Sequence, residues 1–263
     1  MYTIAFMNLK GGTGKTVTTI NTAAILARYH RKRVLLVDAD SQANLTEFTM
    51  QGDDMFSGGG LSDLLRGFGA CPTTTKINNV DIIAGDDDLM ELDITSISSD
   101  KSDPTTLKEY LKENSARWDY CLIDCPPAFS AGAMAALLAA DKVVIPMKLD
   151  AFGMRGMANL RRQISNMQRV NKDLAVAGVL PTMVYPDGTQ KNQLIALRLG
   201  MQMEGIRTFH QVRRSAKVDE TTFSQTPLIV LSPKGKATHD YKVFVHNLIE
   251  ICEGQEGSDD NGV

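Results

Sequence analysis

The chain has 263 residues, of which 43% are hydrophobic and 22% charged, and its formal net charge is −3. That balance excludes a low-hydrophobicity disordered chain, and no apolar run approaches the roughly 20 residues of a membrane-spanning helix. The four cysteines (Cys71, Cys121, Cys125, Cys252) show neither the paired spacing of a zinc or cluster site nor the density of a disulfide framework, so a cytosolic chain is expected.

Residues 2–8 read as a buried strand that begins at once, with no signal segment ahead of it. Residues 10–16, Lys-Gly-Gly-Thr-Gly-Lys-Thr, follow as a loop, and a helix is expected from residue 16 to about 30. A second strand is predicted over 33–38 and a short third over 80–84. Asp103-Pro104 has the form of an N-cap with proline at the first helical position, opening a helix to about residue 114. Then come a strand at 120–124, a small-residue helix at 131–140, a strand at 142–147, a helix at 154–170 and a strand at 174–184. The strands are continuously apolar rather than alternating, as in a parallel sheet covered on both faces. Strand–helix alternation along the chain predicts an α/β fold, a doubly wound, mostly parallel sheet with helices on both faces. No linker divides it. The reading is one domain over 1–253, a mobile glycine-rich loop at 57–60 and an acidic flexible tail at 254–263.

The loop after the first strand carries the chemistry. Gly11, Gly12, Thr13 and Gly14 supply a backbone that can approach phosphate closely, Lys15 a charge for the terminal phosphates, and Thr16 a hydroxyl for Mg²⁺. Leu9 stands where the common P-loop has its first glycine, and Lys10 is a surplus lysine. Since Lys15 already serves the loop's own phosphates, Lys10 suggests help given elsewhere, to a neighbouring subunit, as a point charge in the transition state. Asp38 and Asp40 follow the second strand, and Asp124 ends the strand Cys-Leu-Ile-Asp. A strand-end carboxylate in that order supports Mg²⁺ directly or through water. Asp38 and Asp124 are assigned to the metal, and Asp40 to orienting the attacking water.

Lys-Gly-Gly-Thr-Gly-Lys-Thr, Val-Asp-Ala-Asp-Ser-Gln-Ala-Asn-Leu-Thr and Ile-Asp-Cys-Pro-Pro together resemble the deviant Walker A ATPases, and within them the ParA/Soj partition proteins, over about residues 2–250. The resemblance implies an ATP-dependent homodimer in which Lys10 reaches the partner's phosphates, with Val17, Thr182 and Met183 around the nucleotide. It further implies DNA binding without sequence preference and hydrolysis, slow alone, that a ParB-like partner stimulates, for plasmid or chromosome partition. Departures are Ser41 for a proline, Ala43 for a glycine, and Val17 and Cys125 for threonines; none removes a catalytic group.

Charge is unevenly distributed. Residues 207–242 hold seven basic side chains against three acidic ones. Arg213, Arg214, Lys217, Lys234 and Lys236 are the candidate DNA contacts, with the pair Arg161-Arg162 beside them. The acidic end of the chain is unsuited to an anionic membrane, unlike the basic amphipathic end of MinD relatives. Three alternatives remain open: positioning of a protein cargo on the nucleoid, a MinD-like regulator, and a metabolic or cluster-carrying P-loop enzyme. Cys121 and Cys125 are expected to point into the core.

Overall fold

The structure, a computed structural model, describes residues 1–50, 59–95 and 102–254. Residues 57–58 of the glycine-rich loop and 255–263 of the acidic tail lie outside them. The chain runs β1 (Tyr2–Phe6), α1 (Lys15–His30), β2 (Val34–Asp38), α2 (Asn44–Thr49), α3 (Leu61–Leu65), β3 (Thr73–Thr74), β4 (Val80–Ile83) and α4 (Asp88–Thr95). It continues with α5 (Thr106–Glu113), β5 (Tyr120–Asp124), α6 (Ala131–Ala139), β6 (Lys142–Lys148), α7 (Ala151–Met167) and β7 (Ala175–Thr182). Four helices follow: α8 (Lys191–Met203), α9 (Ala216–Ser224), α10 (Leu228–Leu231) and α11 (Lys236–Glu253).

The strands form one seven-stranded sheet in the order β3-β4-β2-β5-β1-β6-β7. All neighbours are parallel except the short β3, which pairs antiparallel with β4. The doubly wound, mostly parallel fold read from the apolar runs is therefore present. Side chains alternate across the pleat, yet both faces are apolar. Leu35 and Val37 join α3, α5, α6 and α7 on one side, whereas Val34 and Leu36 join α1, α10 and α11 on the other. This is why 34–37, 120–123 and 143–147 in β2, β5 and β6 are unbroken apolar runs. Residues 208–214 add along the free edge of β7 through parallel bridges Val179–Thr208 and Val184–Arg213.

Boundaries differ from the sequence reading by one to three residues in several elements; the helix read at 154–170, for one, is α7 at Ala151–Met167. β1 ends at Phe6 rather than residue 8. The helix expected from Asp103-Pro104 begins at Thr106; Asp103 instead closes a turn, its carboxylate accepting the Thr105 amide at 2.8 Å. β7 stops at Thr182 because Met183 takes a left-handed conformation, φ 54°, which extended pairing cannot continue.

Packing also fixes the turn after β2. Gly132, in α6, lies so close to Ala39 that a Cβ there would sit 2.4 Å from the Ala39 carbonyl oxygen. Gly132→Ala is therefore expected to destabilise by about 1–3 kcal/mol through overpacking, read as a lower urea midpoint. Gly200→Ala in α8, where an added Cβ meets nothing within 4 Å, should be neutral or stabilising by up to about 1 kcal/mol.

Candidate functional site

β1 lies between β5 and β6, and β5 between β1 and β2, so the loops after β1, β2 and β5 meet at one edge of the sheet. Asn8, 7% exposed, fixes the start of the phosphate loop: its amide nitrogen donates to the Pro146 carbonyl (2.8 Å) and its oxygen accepts the Lys10 amide (3.0 Å). Gly12 and Gly14 both adopt positive φ, 69° and 84°. Gly14 caps α1, so the first-turn N–H groups of that helix face the loop's hollow. Thr13 is buried and its carbonyl accepts the Thr182 hydroxyl at 2.8 Å, tying the loop to the end of β7. Lys15 is 7% exposed in the first turn of α1, whereas Gly11 and Gly12 are exposed.

Register does the rest. Asp38 and Asp124 are direct partners across β2 and β5, and both are buried, 0% and 1% exposed. Asp38 is fully engaged: one oxygen accepts the amide and hydroxyl of Thr46, each at 2.9 Å, and the other accepts the Asp40 amide at 3.2 Å. Asp124 accepts the Thr16 hydroxyl on Oδ2 at 2.6 Å, while its Oδ1 is buried without a hydrogen-bond partner. An orphaned, buried carboxylate oxygen beside a threonine hydroxyl and a lysine is what a divalent cation would satisfy, so the residues present fit Mg²⁺. Burial raises the Asp124 pKa well above the ordinary carboxylate value, and the neighbouring Asp38 adds to the rise. Burial likewise raises Asp38. Asp40 stands at the rim, half-buried, with Oδ1 accepting the Gln42 amide.

Lys10 lies at the mouth of the loop, where its ammonium pairs with Asp150 at 2.5 Å. Within one chain the surplus lysine is thus met by a carboxylate just beyond β6. Beside the loop a cleft of about 240 Å³ is lined by Val17, Thr182, Met183, Val212, Val218 and Tyr241, among others, and Arg213 and Arg214 stand on its wall. Val17, Thr182 and Met183, which the resemblance sets around a nucleotide, line this cleft together with Gly14 of the phosphate loop.

The five basic candidates differ in their commitments. Arg213 forks onto Asp240 through Nε (2.6 Å) and Nη2 (2.7 Å), and Asp240 is 0% exposed. Although burial alone would raise it, the Arg213 fork and His210 hold Asp240 far below the usual carboxylate range. Arg214 donates to the Tyr185 hydroxyl at 2.9 Å. Lys217 makes an exposed i,i+3 pair with Glu220, and Lys234 and Lys236 are exposed. Of the flanking pair, Arg161 is held by Glu204 and Arg162 donates to Asn159. Cys121 and Cys125 are buried in the core as expected.

Sequence reasoning missed Thr46, Asp150 and Asp240. Thr46 carries a signal of sorts, since it lies within the motif that runs on from Asp38. Asp150 and Asp240 are 140 and 27 residues from their partners, so nothing local announces them.

This arrangement is that of a P-loop ATPase. A family model described as an AAA domain matches residues 1–176, and the chain belongs to that family. It is similar to the sporulation initiation inhibitor protein Soj of Bacillus subtilis, 29% identical over 90% of this chain and 94% of that protein. It is equally similar to the chromosome partitioning protein ParA of Myxococcus xanthus, 29% identical over 94% and 87%. The ParA/Soj resemblance carried by the motifs is thus borne out. Among solved structures, apo McdA of Cyanothece superposes with a TM-score of 0.82 at 23% identity, covering 94% of this chain and 99% of that one. Cobyrinic acid a,c-diamide synthase of Mycobacterium smegmatis, with ADP and magnesium bound, gives 0.81 at 23% identity over 97% of both chains. MinD of Pyrococcus horikoshii, complexed with Mg-ADP, gives 0.75 at 22% identity over 98% and 99%. At such identities the likeness is one of fold.

Because the folded-state pKa of Asp124 is raised, the folded chain holds the proton more tightly than the unfolded chain. Stability in EDTA should therefore fall as pH rises from the ordinary carboxylate value towards the raised one. Asp124→Asn should flatten that slope and raise the melting midpoint in EDTA at alkaline pH, measured by circular dichroism. Arg213→Ala leaves Asp240 buried and unpaired. With Arg213 itself about a third exposed, the expected loss is on the order of 2–3 kcal/mol, against little change for Lys217→Ala, in urea titrations.

Proposed function

We propose that the chain is an ATP-dependent dimeric switch of the partition type. It would hydrolyse ATP slowly on its own and faster under a ParB-like partner, and bind DNA without sequence preference while ATP is bound. The observation that carries this reading is the meeting of Lys15, Thr16, Asp38 and Asp124 at one sheet edge, with Asp124 Oδ1 left unsatisfied.

ATP would lay its phosphates in the loop formed by Gly11, Gly12, Thr13 and Gly14, against the N–H groups at the start of α1. Its base and ribose would extend into the cleft beside Val17, Thr182 and Met183. Thr16 and Asp124, backed by Asp38, would hold Mg²⁺, which supplies charge neutralisation on the phosphate oxygens. Lys15, buried in the first turn of α1, is already placed to face the terminal phosphates without losing much side-chain freedom on binding. Asp40, half-buried at the rim, would orient the attacking water.

Lys10 is the switch element. In the single chain its ammonium is met by Asp150. In the dimer it would leave that carboxylate and add positive charge to the partner's phosphates, so dimerisation would require nucleotide on both sides. A pair that is about a third exposed is weak enough to exchange for a more highly charged partner.

For DNA, Lys234, Lys236, Arg214 and Lys217 are the contacts favoured by the geometry, since the Lys217–Glu220 pair is exposed and readily exchanged for phosphate. Arg213 is better placed to support this surface than to leave Asp240 for it. Among the described residues no helix is long and apolar enough to cross a membrane. Association with the nucleoid fits this reading.

Filter binding with duplex DNA of arbitrary sequence tests the proposal. Retention should require ATP, fall steeply with salt, and lose roughly one unit of salt slope for each of Lys234→Ala and Lys236→Ala. Equal retention with ADP and ATP would overturn it. Lys10→Ala should keep Mg-ATP binding to the single chain within a few-fold while abolishing ATP-dependent dimers in light scattering. Wild-type dimerisation and hydrolysis by that variant would remove the cross-subunit role.

A further inference from the structure

A cavity of about 840 Å³ opens beside the C-terminal half of α1, bounded by the turn before β4 and by the segment joining α9 to α10. It lies at the opposite end of α1 from Lys15 and Thr16; at 1.5 Å per residue that 16-residue helix spans about 24 Å. Its floor is apolar, made by Ala24, Ala27, Ile77, Ile229 and Val230, the last 50% exposed.

Three cations line it and no acid does: Arg28 and Arg31 from the end of α1, and Lys76 from the turn. Basic side chains in a last helical turn complement the helix dipole, which accounts for Arg28 and Arg31 separately. It does not account for Lys76, which arrives from a different element. Nor does it account for the pairing pattern. Lys32 and Arg33, the next two residues, are paired with Glu253 and Asp119. Among the described residues Arg28, Arg31 and Lys76 have no carboxylate at ion-pair distance. The Lys76 ammonium lies 5.1 Å over the Phe48 ring and donates to the Gln225 side chain at 3.4 Å, neutral partners that leave its charge uncompensated, and burial lowers its pKa.

The backbone fixes the shape of the cavity's rim. Five non-glycine residues among those described have positive φ. Ala43 and Met183 belong to the nucleotide end; the other three, Arg31 (55°), Asn79 (63°) and Gln225 (45°), all line this cavity. Arg31 and Gln225 are helix C-caps, positions where glycine is favoured. Their backbone N–H groups close the two helices onto the Leu26 and Thr221 carbonyls, so the turns that place the Arg31 and Gln225 side chains at this cavity are fixed by helix termination.

We propose that this groove binds an extended acidic segment of a partner protein, its carboxylates on Arg28, Arg31 and Lys76 and an apolar side chain seated between them on Ala27 and Val230. The apolar floor argues for a peptide over nucleic acid, because a phosphate backbone gains nothing from it, whereas alternating acidic and apolar side chains use both parts of the lining. The site is separate from the nucleotide cleft and its occupation does not depend on the hydrolysis proposed above.

The test is selection of a displayed random-peptide library on the immobilised full chain, followed by anisotropy titration of the enriched peptide as a labelled synthetic probe. Enriched sequences should combine Asp or Glu with Leu, Ile, Val or Phe. Probe affinity should fall at least about tenfold in Arg28→Glu/Arg31→Glu and several-fold in Val230→Ser, and weaken with salt. Melting midpoint and ATP binding should be unchanged in these variants. Lys76→Gln, in a surface turn, gives an independent reading should the double variant fold poorly, with a several-fold loss expected. No enrichment, enriched peptides without acidic residues, or equal affinity for wild type and Lys76→Gln would overturn the proposal. So would duplex DNA that displaces the probe and itself loses affinity in the same variants, since the groove would then belong to nucleic acid.

Discussion

The register between β2 and β5 is the constraint on which the site depends. It sets Asp38 opposite Asp124 with both carboxylates out of water, an arrangement that costs free energy unless each oxygen finds a partner. Asp38 is relieved by Thr46 and by the Asp40 amide. Asp124 is relieved on one oxygen only. The fold thus keeps an unsatisfied carboxyl oxygen where the phosphate loop opens, and the sheet, whose central strands are buried on both faces, holds it in place. Stability of the empty chain and affinity for a cation are opposed at this one residue.

Lysine and arginine chemistry is distributed on a different principle. Arg213 is used internally, clamping Asp240 and so fixing α11 against the segment 208–214 along β7. Lys234 and Lys236, by contrast, stand exposed around the start of α11. The basic stretch seen in the sequence is therefore two things: a structural clamp, and a set of solvated charges. Composition alone does not separate them, because the acidic partner of Arg213 lies 27 residues further on.

Much of the architecture was legible for a physical reason. A parallel strand covered on both faces is a continuous apolar run, and residues 34–37, 120–123 and 143–147 each form one. The phosphate loop was legible because close backbone approach needs glycine at fixed positions, and Gly12 and Gly14 do take positive φ. The chain after residue 184 was not resolved into elements. α8, α9 and α11 there are partly exposed, with polar and apolar residues mixed, and α10 spans only four residues. β3, two residues long and antiparallel, is too short to leave a pattern. Asp150 was missed because its meaning lies in a contact with Lys10 across 140 residues, and Thr46 because its role is to hold another residue rather than a ligand.

The hydroxyl of Thr182 grips the carbonyl of Thr13, and the strand that ends at Thr182 also carries segment 208–214 along its outer edge. The phosphate loop and the clamp at Arg213 are therefore one strand apart. In mechanical terms β7 is a short tie between them: the Thr182 hydroxyl holds the loop at its end, and its outer edge holds the segment that Arg213 locks onto α11.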